Sequence, residues 1–379
     1  MKILIISHGI PSEEDPQWGC FELDQARALE KMGHQVTMAA VDTRMRKGRH
    51  RGIRHTRFGT IGAYLYYLLP TRLLFFSFLK IFVRTKMMAS LFEKIVKEQG
   101  LPDVIYAHYM FNMASLVEVK RKYRQIPIVG IEHWSVLNQD RLTPCLMSRG
   151  RIAYSNVDRL LAVSKSLQSQ IKRHFGIEST VVYDMLGQEF VHSKTIVRNA
   201  EKENFSFLAI GSLLHRKGFD LLLDAFSKSR LYETCRLTII GDGQERTNLL
   251  SQAKRLGVAN AVCLVGKKNK KEIIQLLNES HVFVLSSRSE TFGVVCIEAL
   301  SQGLPNIATI CGGPEEFINE SNGILVPAND ADALAEAMTK MHDTYDSYDR
   351  TAIAKECLCK FSPSVIAKQL TSIFEDVAR

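Results

Sequence analysis

What this sequence lacks narrows the reading first. The loop after its first apolar run, Ser7-His8-Gly9-Ile10-Pro11-Ser12 through Gly19, has no Gly-x-Gly-x-x-Gly, so a dinucleotide cofactor is not supported there. The 8 cysteines among 379 residues are scattered, and Cys357-Leu358-Cys359 is too tight for a usual zinc knuckle. They read as reduced thiols in a cytosolic enzyme. Before Ser7-His8-Gly9 stand only Ile3-Leu4-Ile5-Ile6, too short for the apolar core of a signal peptide and suited to a first buried strand. No low-complexity tract and no internal repeat is visible. Between Thr43 and Phe92 there is no acidic residue at all, against 11 Lys and Arg.

The chain is long for one domain, and 46% apolar content is enough for large cores, so two domains are expected. Charge is uneven. Residues 1–199 hold 29 basic and 17 acidic groups, and residues 200–379 hold 20 and 23. Along the chain, short apolar runs that read as strands alternate with segments of helical period. Lys2–Ile6, a helix over Phe21–Met32 stopped by Gly33, and Gln35–Val41 form an opening β-α-β. His108 and His133 follow strand runs, at the ends where open α/β sheets bind ligands. Composition turns polar and irregular over 188–204, the expected connection between domains. A second βα series begins at Phe205. These patterns predict an α/β protein of two doubly wound, Rossmann-like domains: 1–190, 200–362, and a terminal helix over 363–379 that returns to the first.

The organising stretch is Ser286-Ser287-Arg288-Ser289-Glu290-Thr291-Phe292-Gly293-Val294-Val295-Cys296-Ile297-Glu298. It follows the strand run Val282–Leu285 and leads into a helix ended by Gly303 and Pro305. A helix N-terminus between Glu290 and Glu298 suits a phosphate, with a carboxylate near each end to accept hydroxyl hydrogen bonds. A nucleotide-diphosphate sugar has that pattern of groups.

The Glu-x7-Glu of Glu290 and Glu298 resembles the signature of the family 4 glycosyltransferases (glycosyl transferases group 1), retaining enzymes of GT-B fold. The resemblance runs through nearly the whole chain. It includes Gly33-His34-Gln35-Val36, Ala107-His108-Tyr109, Glu132-His133, Val163-Ser164, Arg216-Lys217-Gly218, Ile240-Gly241-Asp242-Gly243, Gly312-Gly313-Pro314-Glu315 and Gly323–Pro327. It implies two Rossmann-like domains facing each other across a cleft, with the acceptor mostly in the first and the donor mostly in the second. It further implies that Lys217, with Arg216, neutralises the donor diphosphate, that Glu298 binds the ribose and Glu290 a hydroxyl of the transferred sugar. The backbone of Thr291, Phe292, Gly293 and Val294 would cap the diphosphate. Gly266 would line the base pocket, Gly19 would let the first loop approach the phosphates, and His133 would stand by the donor sugar. His108 is a candidate on the acceptor side. The family often has Arg directly after the first glycine of this domain, where this chain has Ser212.

With Lys217, Arg216 and a helix N-terminus on the leaving group, no metal is required, and no Asp-x-Asp is placed to hold one there. The implied activity moves a sugar from a UDP- or GDP-linked donor, as co-substrate and without a cofactor, to a glycan or a polyprenyl-diphosphate-linked glycan. A nucleotide-sugar epimerase of the same fold, or a non-catalytic sugar-nucleotide-binding protein, are the alternatives. Nucleic acid is not expected, because the basic block lacks strand-borne stacking aromatics. The acid-free block, cationic over Arg44–Arg51 with Arg54 and Arg57, then aromatic over Tyr64–Leu79, reads instead as a contact with an anionic membrane surface at the cytoplasmic face.

Overall fold

The apolar run Ile3-Leu4-Ile5-Ile6 is buried in full, as a strand covered on both faces requires. The computed structural model describes residues 1–44, 51–67, 77–191 and 205–379. The chain forms two units: Met1–Tyr183 with Pro363–Arg379, and Asp184–Ser362.

In unit 1 the order is β1 (Lys2–Ile6), α1 (Cys20–Lys31), β2 (Gln35–Asp42), β3 (Gly52–Phe58), β4 (Ile61–Tyr67), α2 (Ser77–Gln99), β5 (Val104–His108), α3 (Met110–Ser115), α4 (Val117–Lys122), β6 (Ile128–Glu132), α5 (Pro144–Ser155), β7 (Arg159–Ala162), α6 (Lys165–Phe175) and β8 (Thr180–Val181). The sheet runs β3-β4-β2-β1-β5-β6-β7-β8. All its pairs are parallel except β3 with β4. From β1 the chain goes to β2 on one side and later returns to β5 on the other, so the strand order switches between β1 and β5.

One part of the acid-free block departs from its sequence reading. Tyr64-Leu65-Tyr66-Tyr67 is β4, paired in parallel with β2, and Tyr64 and Tyr67 are buried in the sheet, where no membrane surface meets them. Aromatics crowd a pleated, half-buried surface as readily as a membrane interface, and here the free edge of β2 took them. Residues 45–50 and 68–76, which carry much of that reading, lie outside the described residues. Among the described residues no helix is long and apolar enough to cross a membrane.

In unit 2 the order is α7 (Gln188–Val191), β9 (Ser206–Ile210), α8 (Phe219–Lys228), β10 (Arg236–Ile240), α9 (Arg246–Arg255), β11 (Val262–Gly266), α10 (Lys270–Glu279), β12 (Val282–Leu285), α11 (Val294–Ser301), β13 (Asn306–Ile310), β14 (Gly323–Pro327), α12 (Ala331–Thr344) and α13 (Arg350–Phe361). The sheet is wholly parallel, β11-β10-β9-β12-β13-β14. Its order reverses between β9 and β12. Local chemistry sets the helix ends: Asn269 and Glu272 form a reciprocal capping box at α10, and Asp330 caps α12.

The division falls at Tyr183/Asp184, ahead of the 188–204 connection read from composition, and Gln188–Val191 is helix inside unit 2. Phe190 is buried there, and its carbonyl accepts from Gln302 Nε2 at 3.1 Å. Beyond Ser362 the last helix, α14 (Pro363–Val377), belongs to unit 1. Its buried stripe is Ile366, Ala367, Leu370 and Phe374, with Phe374 edge-on to Tyr106 at 5.1 Å. Burying each large apolar side chain is worth about 1.5–3 kcal/mol, enough to hold an amphipathic helix that would be marginal alone.

Candidate functional site

At the reversal in unit 2, the turns leaving β9 and β12 are stitched together. Gly218 has φ 64°, and a Cβ there would stand 2.0 Å from the Ser286 carbonyl oxygen, so only glycine lets the two turns touch. Ser286 Oγ donates to the Lys217 carbonyl at 3.1 Å, and Arg288 N donates to the Arg216 carbonyl at 2.8 Å. The Arg288 guanidinium donates to the His215 carbonyl at 2.6 Å and grips both oxygens of Asp220 at 2.8 and 2.6 Å. Burial opposes ionisation of Asp220, but the bonds from Arg288 outweigh it and hold the carboxyl below its usual range.

This stitching brings Lys217 and Glu290 together. Lys217 Nζ lies 2.5 Å from Glu290 Oε1, which also accepts from Ser287 Oγ at 2.7 Å. The two side chains are only 14% and 8% exposed, which makes the pair largely desolvated and strongly coupled. The loop after β13 closes the third side. Glu290 N donates to the Cys311 carbonyl at 2.9 Å, and Glu315 accepts from Gly312 N at 2.8 Å. A Cβ on Gly313 would meet the Phe292 carbonyl at 2.3 Å. Burial, then the charge of Glu290, pushes the Cys311 thiol up to about 12, so it stays protonated and inert.

Above this junction α11 begins. Gly293, at φ 93°, is its N-cap and no side chain caps it. Thr291 and Val294 are half-buried, Phe292 is buried, and Glu298 is half-buried on α11, roughly 6–8 Å along the axis from the helix start. Arg216 is exposed, and what it contributes to the junction is its carbonyl. Ser212 is exposed in the same turn. Gly266 ends β11 with φ 76° and open space around its Cβ position, while its carbonyl accepts from Gly241 N at 2.9 Å. Among the described residues no His, Cys, Asp and Glu cluster could hold a metal ion.

In unit 1 the corresponding reversal, between β1 and β5, gathers His8, His108, Tyr109 and Asn112. Asn112 Nδ2 donates to the Ser7 carbonyl at 3.0 Å and the His108 carbonyl at 2.8 Å, tying the ends of both strands. Tyr109 has φ 69°, a strained conformation for an aromatic residue, and it turns its ring onto His133 at 5.1 Å. His108 and His133 lie parallel, with Nδ1 of His108 3.1 Å from Nε2 of His133. Burial, then the His133 charge, drives His108 well below its usual range, so it is neutral. Its Nε2 is buried without a partner. An unpaired lone pair costs less there than an unpaired N–H, so the His108 proton belongs on Nδ1, donated to His133. Glu132 anchors the next loop: it accepts from Met110 N at 2.8 Å, from His133 N and Trp134 N at 3.0 Å each, and from Tyr154 Oη at 3.0 Å.

Gly19 has a local role within unit 1. It is the left-handed N-cap of α1, and a Cβ there would meet the Gly9 carbonyl at 2.2 Å. Thus Lys217, Glu290 and the start of α11 come together in one unit, and His108 and His133 in the other. Arg288, Asp220, Ser287 and Glu315, which build the first junction, and Asn112 and Tyr109, which build the second, had no assigned role. Arg288 stands inside the stretch singled out above, yet its partner Asp220 is far off in sequence.

The sequence matches the glycosyl transferases group 1 over residues 193–356 and the Glycosyltransferase Family 4 over residues 23–184. It is 26% identical over 362 residues to the putative teichuronic acid biosynthesis glycosyltransferase TuaC of Bacillus subtilis, covering 90% of this chain and 89% of that protein. It is 28% identical over 258 residues to the O-antigen chain mannosyltransferase C of Escherichia coli, covering 65% and 68%. Sucrose-phosphate synthase from Thermosynechococcus elongatus superposes with a TM-score of 0.81 at 18% identity, over 99% of this chain and 98% of that one. Anabaena HepE in complex with UDP-glucose superposes at 0.75 and 17% identity, over 99% and 100%. With each half matched in order and the fold shared end to end, the chain belongs to glycosyltransferase family 4, the glycosyl transferases group 1, and is a GT-B enzyme of nucleotide-sugar transfer.

Proposed function

We propose that this enzyme transfers a sugar, with retention, from a UDP- or GDP-linked donor to a glycan or polyprenyl-diphosphate-linked glycan in surface polysaccharide synthesis. The observation that carries the reading is the Lys217–Glu290 junction beside the start of α11, at the strand reversal of unit 2. Breaking the sugar–phosphate bond builds negative charge on the leaving diphosphate. Lys217, aided by Arg216 and the backbone of Thr291, Phe292, Gly293 and Val294, meets that charge, and Glu298 takes the ribose. Glu290 accepts from a hydroxyl of the transferred sugar, with Gly266 beside the base. These fixed donors do the work a metal would otherwise do, and one such donor is worth on the order of 10²–10³ in rate. His133 stands by the donor sugar, near the incoming acceptor. Relatives named for teichuronic acid and O-antigen synthesis support the acceptor class, and HepE bound to UDP-glucose supports a nucleotide-sugar donor.

The site of action in this reading is the cytoplasmic face of the membrane, with the protein peripheral on anionic lipid. The exposed Arg51, Arg54 and Arg57 at and along β3 support that placement. The test is incubation with a panel of UDP- and GDP-sugars, reading bound and hydrolysed donor and its anomeric outcome. Hydrolysis of one donor with retention is expected. Epimerised donor without acceptor, or binding without turnover, would overturn the transferase assignment.

A further inference from the structure

We propose that Tyr109 heads an aromatic rim in unit 1 that binds a pyranose ring of the acceptor by stacking. The proposal rests on the transferase reading above and extends it to how the acceptor glycan is held.

Tyr109 has φ 69° and ψ 143°. Arg230, at φ 57° and ψ 8°, lies near the small left-handed region that side chains enter at modest cost. Tyr109 lies far from that region, on the border of one that is essentially glycine's alone. Its backbone is held there from both sides. The N–H donates to the Ile131 carbonyl at 2.9 Å, and the carbonyl accepts from Asn112 N at 3.0 Å and Met113 N at 3.2 Å. Asn112 is itself fixed by the Ser7 and His108 carbonyls and by Arg84, whose guanidinium donates to its Oδ1 at 2.7 Å.

A glycine would take up this backbone without strain, so the side chain is what the strain maintains. Core packing does not require it: the ring is half-buried, whereas Met110 and Met113 on α3 are fully buried. The ring stands in a cluster instead. Tyr109 lies 5.3 Å from His8, 5.1 Å from His133 and 5.4 Å from Phe111, which is nearly parallel to it, and Phe111 meets Trp134 at 6.1 Å. His8 is exposed, and Phe111, His133 and Trp134 are half-buried. All of these rings follow β1, β5 or β6, at the strand ends beside the reversal, where an open α/β sheet takes its ligands.

The chemistry of the rim selects the part of the acceptor it takes. A pyranose presents C–H groups on its face and hydroxyls around its edge. The C–H groups carry partial positive charge and are drawn to the negative face of an aromatic ring. The imidazoles of His8 and His133 border the Tyr109 ring and offer polar edges to the hydroxyls. A polyprenyl chain has no hydroxyls to use them, so the occupant is the sugar. The donor's own groups are assigned to unit 2, which leaves this rim to the second substrate. With His133 assigned beside the donor sugar, a pyranose stacked on Tyr109, one ring away, is placed to offer a hydroxyl.

The full-length protein, saturated with whichever of UDP and GDP it binds, is mixed with the methyl glycosides of glucose, galactose, mannose and N-acetylglucosamine. Saturation-transfer NMR, with the aromatic protons irradiated, reads which glycoside binds and through which C–H groups. At least one should receive transfer, strongest on the C–H groups of one face. Tyr109→Phe should keep that binding. Tyr109→Leu, which has bulk but no ring, should weaken it by about ten-fold. Tyr109→Gly, which suits the backbone, should weaken it as much, keep nucleotide affinity and melt above Tyr109→Ala. Glu290→Gln, altered at the donor sugar in unit 2, should keep the glycoside. The proposal is overturned if no glycoside receives transfer, if Tyr109→Leu binds like wild type, if Tyr109→Phe loses binding, if Glu290→Gln abolishes it, or if Tyr109→Gly and Tyr109→Ala melt alike. A protein that binds neither UDP nor GDP would count against the transferase reading itself; absent glycoside transfer beside normal nucleotide binding counts against the aromatic rim alone.

Discussion

Lys217 and Glu290, 73 positions apart, share one short contact: Nζ of the lysine lies 2.5 Å from Oε1 of the glutamate, and Ser287 holds the same oxygen. The cation assigned to the leaving group and the carboxylate assigned to the sugar are thus one coupled unit. Removing either leaves the other largely desolvated and short of its opposite charge. Glu290→Gln and Lys217→Met should each lower stability, and the double variant should lose less than the sum, by an interaction energy on the order of 0.5–3 kcal/mol. Urea unfolding of the four proteins measures it, and additive losses would show the contact to be energetically idle.

Catalysis separates the two members of the pair. At saturating donor, Glu290→Gln should cut transfer by about 10²–10³ while nucleotide affinity stays within a few-fold. Lys217→Met should instead weaken nucleoside diphosphate far more than nucleoside, as calorimetry reads directly. Equal losses for both ligands would take Lys217 off the phosphates.

Arg288 is a positioning residue. Its bidentate grip on Asp220 and its bond to the His215 carbonyl hold the turn that carries Lys217. Arg288→Lys keeps the charge and loses the fork. It should raise the dissociation constant for nucleoside diphosphate several-fold without altering the pH profile of turnover. An unchanged constant would mean that Gly218 packed against Ser286 holds the turn by itself.

Burial keeps His108 neutral beside His133. His133→Ala should reduce transfer strongly and leave nucleotide affinity intact. His108→Gln, which can still face His133, should shift the pH profile of transfer more than its maximum. A change in maximum alone would assign His108 to packing.

His8 gives unit 1 a pH dependence of known sign. Burial, then Arg84 and Arg44, lowers its imidazole from 6.5 to about 4. The folded protein therefore binds fewer protons than the unfolded chain between those values. Stability from neutral His8 is fully present above pH 6.5 and is lost as the pH falls toward 4. The thermal midpoint of wild type should drop more steeply across that window than that of His8→Asn; equal slopes would refute the assignment.

Anionic vesicles test the surface reading. Wild type should float with them at low salt, release at high salt and ignore neutral vesicles, because each Lys or Arg at such a surface is worth about 1 kcal/mol. Arg51, Arg54 and Arg57 changed together to Ser should weaken binding and keep donor hydrolysis. Absence of wild-type binding at low salt would exclude the membrane surface.

The sequence by itself determined the alternation of strands and helices and the place of Glu290 between β12 and α11, with Glu298 on the helix that follows. These are local patterns: an apolar run of strand length, a turn, a helical period, a glycine stop. Local pattern could not identify Tyr64–Tyr67 as β4, because an aromatic run satisfies a sheet and an interface alike and only the available edge of β2 separates them. Nor could it place the first boundary at Tyr183, since the burial of Phe190 against Gln302 depends on a residue more than a hundred positions away. Tertiary structure alone decided that Lys217 bonds Glu290, that Arg288 grips Asp220 and that Tyr109 is strained onto His133. Each is a relation between elements distant in the chain, fixed by sheet order and by the few glycines that let backbones touch, and sequence spacing carries no trace of either.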